Sequence, residues 1–291
     1  MRPLDYIAPK NAKEAVALLL DNKKNACPLA GGTDLIVDLK HNPGNISMLI
    51  DVSCVEEFRG IEETKDGLKI GSMVTFGEIM SSPLCQKYIP AVIEGAHTVG
   101  AVQTRNLGTV GGNLVTCVPS ADSAPSLMVL ESLVTIVNEK SNKTVPIEDF
   151  FVGPRKTILK SHELLANILI PKKNLGKPSK FLKHGLRKGQ ALALVNAAAS
   201  LFISKNDTIT EPRIALGAVA PTPLRATKTE EFLEGKKYSE KLINKAAEIA
   251  MSEAKPIDDF RASAKYRCDI IKTFTRRVLL QSIDQAKHIN N

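Results

Sequence analysis

Two glycine clusters, far apart in the chain, constrain the fold most strongly. The first is Gly31-Gly32, and the second holds three glycines within residues 106–113. Where successive residues lack a Cβ atom, backbone N–H groups can approach an anion closely. A helix that starts directly after such a turn adds unpaired N–H groups and a favourable dipole end. Each loop alone is also compatible with a tight turn that binds nothing, but two loops together suit the diphosphate of a dinucleotide.

The residues around the first cluster predict a small parallel unit. Asn11 and Glu14 stand at capping-box spacing before an apolar run, which favours a short helix. Strand, glycine turn, helix and strand then follow in order. The predicted parts are a buried strand at Cys27–Ala30, a helix capped by Thr33 and Asp34 and running to Leu39, and a strand at Met48–Val52.

The remainder of the chain mixes strands and helices. The predicted strands are Leu68–Thr75, Leu133–Val137, Phe181–Leu186, Ala191–Ser204 and Arg213–Val219, and the predicted helices are Ala91–Val99, Ala121–Leu130 and helices at the C-terminal end. Tyr266, Ile270, Phe274 and Val278 repeat every four residues, as in a helix that docks on a core. A polar connector at residues 172–178 predicts a boundary between domains at 1–176, with subdomains of about 1–57 and 58–176, and 177–291.

Composition narrows the function classes. The chain has 291 residues, a formal net charge of +8, 43% hydrophobic residues and 4% aromatic residues. Without a signal-peptide pattern or an apolar run of the roughly 20 residues that a membrane span needs, we expect a cytosolic globular protein. The five cysteines form no C-x-x-C, so we expect reduced thiols, most of them buried, and no metal site built by the protein. The basic segment at residues 261–277 favours a solvated helix face or an acidic protein partner, with nucleic acid as the alternative.

Several common motifs are missing. The sequence has no G-x-G-x-x-G, no G-x-x-x-x-G-K-[ST] and no G-x-S-x-G. A Rossmann site, a P-loop and a hydrolase are therefore not supported. No side-chain nucleophile stands out, so we expect no catalytic residue in this chain and chemistry that comes from a bound cofactor.

The segments PLAGGTDLIVDLK and QTRNLGTVGGNLVTCVPSADSAPSLMVL resemble the FAD-binding subunit of molybdenum hydroxylases. The resemblance covers nearly the whole chain, and ELLANILIP and FLKHGLRK follow in family order. It is strongest to the FAD chains of bacterial xanthine dehydrogenases and of nicotinate and carbon monoxide dehydrogenases. The resemblance implies an α+β fold, in which a vanillyl-alcohol-oxidase (PCMH)-type FAD-binding fold precedes a C-terminal α/β domain of the carbon monoxide dehydrogenase flavoprotein type.

The resemblance also implies the site residues. Asp122 would meet the ribityl or ribose region, Leu165 would pack on the isoalloxazine or adenine, and Lys183 would lie beside the flavin. From the residues alone, Asp122 is more readily a helix cap and Lys183 a surface lysine. The residues implied for the FAD diphosphate are Pro28, Leu29, Ala30, Gly31, Gly32, Thr33, Asp34, Leu35, Thr109, Val110, Gly111, Gly112 and Asn113.

In this family, electrons leave a substrate at a molybdopterin centre, cross two [2Fe–2S] clusters and reach FAD. The resemblance thus implies a xanthine dehydrogenase-like oxidoreductase subunit that acts in purine metabolism in the cytoplasm. Its partners would be a molybdopterin-binding large subunit and an iron–sulfur small subunit, in a heterotrimer or its dimer, with NAD⁺ or another carrier as electron acceptor. The alternatives are the FAD subunit of a nicotinate, aldehyde or carbon monoxide dehydrogenase, a non-catalytic nucleotide-binding or assembly protein, and a basic nucleic-acid binder.

Overall fold

The computed structural model describes residues 3–22 and 25–290. In that part of the chain, helices and strands form three main sheets with helices around them. The helices are α1 (Ala12–Asn22), α2 (Leu35–His41), α3 (Phe76–Ser81), α4 (Pro83–Tyr88), α5 (Pro90–Thr98), α6 (Val102–Leu107), α7 (Val110–Thr116), α8 (Ser123–Val129), α9 (Thr227–Leu233), α10 (Glu240–Glu253) and α11 (Ala264–Asn290). The strands are β1 (Asp5–Ile7), β2 (Ala26–Leu29), β3 (Met48–Asp51), β4 (Ile61–Glu63), β5 (Gly67–Gly71), β6 (Leu133–Val137), β7 (Asn142–Pro146), β8 (Phe151–Gly153), β9 (Lys156–Thr157), β10 (Leu164–Pro171), β11 (Ser179–Gly185), β12 (Ala193–Ile203), β13 (Ile209–Gly217) and β14 (Leu224–Arg225).

The N-terminal unit is a parallel sheet in the order β1-β3-β2. The parallel pairing of β2 with β3 is as the sequence predicts, whereas β1 is an additional strand. Asn11 begins α1, because its Oδ1 accepts a hydrogen bond from the Glu14 backbone N–H at 2.9 Å. Asp34 occupies the N-cap position of α2, as predicted, but its side chain makes no capping hydrogen bond. The helix runs to His41 rather than ending at Leu39.

The middle sheet is antiparallel, in the order β4-β5-β10-β6-β7. The predicted strand at Leu133–Val137 is confirmed, whereas the strand predicted to run from Leu68 to Thr75 stops at Gly71. A turn follows, closed by a hydrogen bond from the Val74 backbone N–H to the Gly71 carbonyl, and Thr75 then caps α3 in a capping box with Glu78. The pairing of threonine with a glutamate three residues later outweighs the apolar alternation.

The third sheet has the order β11-β12-β13-β14, and α10 and α11 pack against its core. Val278 on α11 is fully buried, as the four-residue repeat predicts, but Tyr266 is 43% exposed. The Tyr266 hydroxyl instead lies 2.9 Å from Nε2 of His184 on β11.

The connector between the second and third sheets is partly buried. The side chains of Asn174 and Lys177 have no exposed surface, and the Lys177 ammonium donates to the Glu211 carbonyl oxygen at 2.8 Å. Helix α8 packs on β12 and β13 across this junction. The domain division at residue 176 stays a prediction, and the outer ends of the predicted domains, Met1 and Asn291, lie outside the described residues.

Two expectations drawn from composition need correction. Arg267, in the basic segment, is 2% exposed and donates to the Asp259 carboxylate and the Leu194 carbonyl oxygen, so it is a core residue rather than a solvated one. Among the cysteines, all unpaired, Cys85 and Cys117 are buried while Cys54 is exposed. In the chain as described, no helix is long and apolar enough to cross a membrane, and no group of three metal-ligating side chains gathers.

Candidate functional site

A cavity of about 510 Å³ lies between the two glycine loops. This volume is in the range of sites for small molecules and cofactors. The first loop, residues 30–35, forms one wall. The second glycine segment, residues 108–113, forms the wall beside it; it is called the second loop here, although its last four residues are the first turn of α7 and Thr109 is the N-cap. Strand β10 and the turn between β11 and β12 complete the lining with Leu164, Leu165, Gln190, Ala191 and Leu192.

The first loop presents free backbone donors. Within the described chain, the backbone N–H groups of residues 31–35 have no protein acceptor, and the Thr33 hydroxyl and Asp34 carboxylate make no hydrogen bond. Gly32 has a φ of +70°, a left-handed conformation that lets the chain turn sharply into α2. The loop therefore offers a run of unpaired donors at the start of a helix, where an anion is favoured.

The second loop uses its donors within the protein. The N–H groups of Val110 and Gly111 donate to the carbonyl oxygens of Val74 and Ser72, both at 2.9 Å. The Gly112 N–H donates to the Thr109 hydroxyl at 3.0 Å, and the Asn113 N–H donates to the Thr109 carbonyl. These bonds fix the loop to the segment that precedes α3, so it is a rigid wall rather than a second free cradle.

The glycines have different tasks. A Cβ atom on Gly31 would lie 1.8 Å from the Leu107 carbonyl oxygen, and one on Gly111 would lie 2.5 Å from the Ser72 Cβ. These two glycines permit close packing of protein on protein. Gly112 differs, because beyond the Thr109 hydroxyl its nearest neighbour would be the Ala30 Cβ at 3.7 Å, across the gap between the loops.

Asp122 lines the cavity and belongs to a buried polar cluster. Its Oδ2 accepts from the Lys183 ammonium at 2.5 Å, and its Oδ1 accepts from the Asn196 amide at 3.0 Å. Burial raises the pKa of the Asp122 carboxyl, while the charge and hydrogen bond of Lys183 and the hydrogen bond of Asn196 oppose that rise. Asp122 does not cap α8 with its side chain, and Lys183 is 9% exposed, so the readings as a helix cap and a surface lysine are both wrong.

The structure brings most of the predicted residues together. Pro28, the residues from Ala30 to Leu35, Thr109, Asp122 and Leu165 all line the cavity, together with Gly111, Gly112 and Asn113. Leu29, Val110 and Lys183 do not line it. Val110 is fully buried behind the second loop, and Lys183 reaches the cavity only through Asp122.

Sequence reasoning missed several lining residues. Ser72, Thr104 and Gln190 come from three other parts of the chain and contribute polar groups to the wall. The Gln190 backbone N–H donates to the Gly100 carbonyl at 3.1 Å, which ties the turn between β11 and β12 to the segment before α6. Single polar residues scattered over turns and a short helix carry no local pattern that would have revealed them.

The arrangement fits a dinucleotide. The free donors of the first loop suit an anionic diphosphate, and apolar side chains such as Leu165 and Leu192 line the same cavity. Polar donors together with apolar walls match a ligand that carries both a diphosphate and flat rings.

Comparison with known proteins agrees with this geometry. Residues 2–173 match the family model of the FAD-binding domain in molybdopterin dehydrogenase, and residues 180–282 match that of the carbon monoxide dehydrogenase flavoprotein C-terminal domain. The xanthine dehydrogenase FAD-binding subunit of Escherichia coli O157:H7 is 30% identical over 94% of both chains. The carbon monoxide dehydrogenase medium chain of Hydrogenophaga pseudoflava is 31% identical over 94% of this chain and 95% of that one.

Solved structures give the same answer. Carbon monoxide dehydrogenase from Hydrogenophaga pseudoflava superimposes with a TM-score of 0.93 at 31% identity, covering 98% of both chains. Quinoline 2-oxidoreductase from Pseudomonas putida 86 superimposes with a TM-score of 0.91 at 30% identity, also covering 98% of both chains. The predicted α+β fold is confirmed. With both family models matched and the cavity lying where the two glycine loops meet, the chain belongs to the FAD-binding oxidoreductase subunits of the molybdenum hydroxylase family.

Proposed function

We propose that this chain holds FAD with its diphosphate on the first loop and serves as the electron-transfer subunit of a multi-subunit, xanthine dehydrogenase-like hydroxylase. Electrons arrive from the [2Fe–2S] clusters of a partner subunit and leave to NAD⁺ or another acceptor. One observation carries the proposal: the backbone N–H groups of residues 31–35 have no acceptor among the described residues, and these residues line a cavity of about 510 Å³.

The two loops perform different tasks in this proposal. The N–H groups of the first loop and the start of α2 bind the diphosphate, and the free Thr33 hydroxyl adds a side-chain donor. The second loop contributes shape, because its own hydrogen bonds keep Gly112 facing Ala30 across the gap. The absence of a side chain at Gly112 keeps the wall beside the first loop low, so the diphosphate can lie against both loops.

The rest of the cavity orients the remainder of the cofactor. Asp122 is held by hydrogen bonds at both oxygens, so it presents a fixed acceptor to ribityl or ribose hydroxyls. Leu165 offers an apolar surface to the isoalloxazine or the adenine. FAD, when bound, would accept single electrons from the iron–sulfur clusters and pass two electrons to an acceptor such as NAD⁺. The chain supplies binding, orientation and electrostatics.

The division of labour follows from what this chain contains. No residue of the chain is assigned a catalytic role, and substrate hydroxylation belongs to a molybdopterin-binding large subunit. We assign the clusters to a small subunit and expect a heterotrimer or its dimer in the cytoplasm, with a role in purine metabolism if the substrate is xanthine. Relatives with the same fold are named as subunits of carbon monoxide and nicotinate dehydrogenases, and their reactions are the alternatives.

The visible spectrum of the purified full chain tests cofactor binding. We expect flavin absorption, release of FAD rather than FMN on heating, and restoration of the spectrum when FAD is added to the stripped protein. The Gly112→Val variant tests the placement, because a branched side chain there would fill the gap between the loops. A colourless chain that takes up no FAD would favour the non-catalytic assembly protein, and full flavin content in Gly112→Val would refute the placement.

Anaerobic reduction tests the electron-transfer role. We expect NADH to reduce the bound flavin and to support dye reduction by the isolated chain, while xanthine is not turned over. Xanthine turnover by this chain alone would contradict the division of labour. Flavin reduction by the reduced iron–sulfur subunit but not by NADH would assign a different acceptor.

A further inference from the structure

We propose that Asn196 is a positioning residue, which acts on FAD through Asp122 without touching the cavity. This inference rests on the proposed function, since it assigns a role to the carboxylate that faces the cofactor. Asn196 lies on β12, has no exposed surface and does not line the cavity. Its amide nitrogen lies 3.0 Å from Asp122 Oδ1 and 3.3 Å from the Ala121 carbonyl oxygen.

The orientation of the amide follows from its surroundings. Both groups that face the Asn196 nitrogen are acceptors, so the NH₂ end must point toward Asp122. The oxygen end points the other way, toward Gly217 on β13, and has no hydrogen-bond partner among the described residues. A Cβ atom on Gly217 would lie 2.0 Å from that oxygen, so only glycine leaves room for the amide in this orientation.

The residues that hold Asp122 come from one row of the third sheet. Lys183 on β11 pairs directly with Asn196 on β12, and Asn196 pairs directly with Gly217 on β13. Lys183 binds one carboxylate oxygen, and Asn196 binds the other. The C-terminal sheet therefore fixes a side chain of the FAD-binding region at both of its oxygens.

A role in packing alone does not explain why position 196 is asparagine. Its neighbours on β12, from Ala197 to Ala199, are small, apolar and fully buried. An apolar residue at position 196 would remove the unpaired amide oxygen, but it would also remove the bonds to residues 121 and 122. The free-energy cost of burying the unpaired Asn196 oxygen is offset by the hydrogen bonds of the amide nitrogen to residues 121 and 122. This cost indicates that the orientation of the Asp122 carboxylate matters.

A double-mutant cycle on the full chain tests this assignment, with FAD affinity of the stripped protein as the readout. We expect Asn196→Ala to weaken FAD binding about tenfold, the size of a lost hydrogen bond to a charged group. In an Asp122→Asn background the same change should alter the affinity less than about twofold, because residues that act through one another are non-additive. Asn196→Ser repeats the test with a polar residue if Asn196→Ala fails to fold.

Ser200→Ala is the matched control. Ser200 is also fully buried on β12, and its hydroxyl donates to the Val129 carbonyl of α8 at 2.7 Å, away from Asp122. We expect it to change thermal stability but not FAD affinity. Additive effects of Asn196→Ala and Asp122→Asn, or an equal loss in Ser200→Ala, would overturn the positioning role alone. A wild-type chain that does not bind FAD, or an Asp122→Asn variant that binds it normally, would overturn the proposed site as well.

Discussion

The two glycine loops look alike in sequence and differ in structure. Across the described residues, the first loop leaves the backbone N–H groups of residues 31–35 without protein acceptors, whereas the second directs those of residues 110–113 to acceptors in the chain. The first loop can therefore bind an anion, and the second holds the wall of the cavity in place. A cluster of glycines shows where the backbone can closely approach other atoms. It does not show whether those atoms belong to a ligand or to another part of the protein.

Gly31→Ala should have the largest effect, because the added Cβ would lie 1.8 Å from the Leu107 carbonyl oxygen. Backbone cannot move aside as a side chain can, so we expect the stability to fall by about 3 kcal/mol and FAD retention to be lost. Thermal unfolding and flavin content measure both effects. Gly153→Ala is the control, since a Cβ there would meet nothing within 4 Å. Equal behaviour of the two variants would show that the loops do not pack as described.

Thr33→Asp tests the free donors of the first loop. A carboxylate there would bind the N–H groups itself and repel the diphosphate, so we expect FAD affinity to fall roughly 100-fold or more. The stripped protein should be as stable as the wild type, because an acidic residue is favourable at the start of α2.

Thr33→Asn is the matched control, because asparagine is nearly the same size as aspartate and carries no charge. We expect FAD affinity to change less than about tenfold, and isothermal titration of the stripped protein measures both variants. If Thr33→Asp binds FAD as well as Thr33→Asn does, the first loop does not hold the diphosphate.

Removing one threonine hydroxyl from each loop should have the smallest effects and should distinguish the structural roles of the two loops most directly. Thr109→Val removes the hydroxyl that accepts from the Gly112 N–H, so we expect the stability to fall by about 1 kcal/mol. Thr33→Val removes a hydroxyl with no protein partner, so the stability should stay within about 0.5 kcal/mol while FAD affinity falls several-fold. Chemical denaturation of the stripped variants measures the first quantity. If Thr33→Val lowered the stability more than Thr109→Val does, the structural roles assigned to the two loops would be reversed.

The fold was accessible to sequence reasoning where local patterns were strong. The capping pair Asn11 and Glu14, the strand at Leu133–Val137 and the parallel order of the first unit all follow from short-range signals. The same reasoning failed at Thr75, where a capping box ends the apolar alternation, and at Asp122, where a tertiary ion pair replaces a helix cap. Local propensity is a weak guide wherever a distant partner offers a stronger interaction.

The sequence by itself determined that two side-chain-free turns exist, that one precedes a helix, and that the pair resembles the FAD-binding subunits of molybdenum hydroxylases. Only the tertiary structure decided which loop keeps its donors free, because a backbone N–H is available to a ligand only if no distant carbonyl has taken it. It also decided that Lys183 is buried against one oxygen of the Asp122 carboxylate and that Asn196 binds the other oxygen. Those contacts join residues more than 60 positions apart, and only the packing of the C-terminal sheet on the FAD-binding region brings them together.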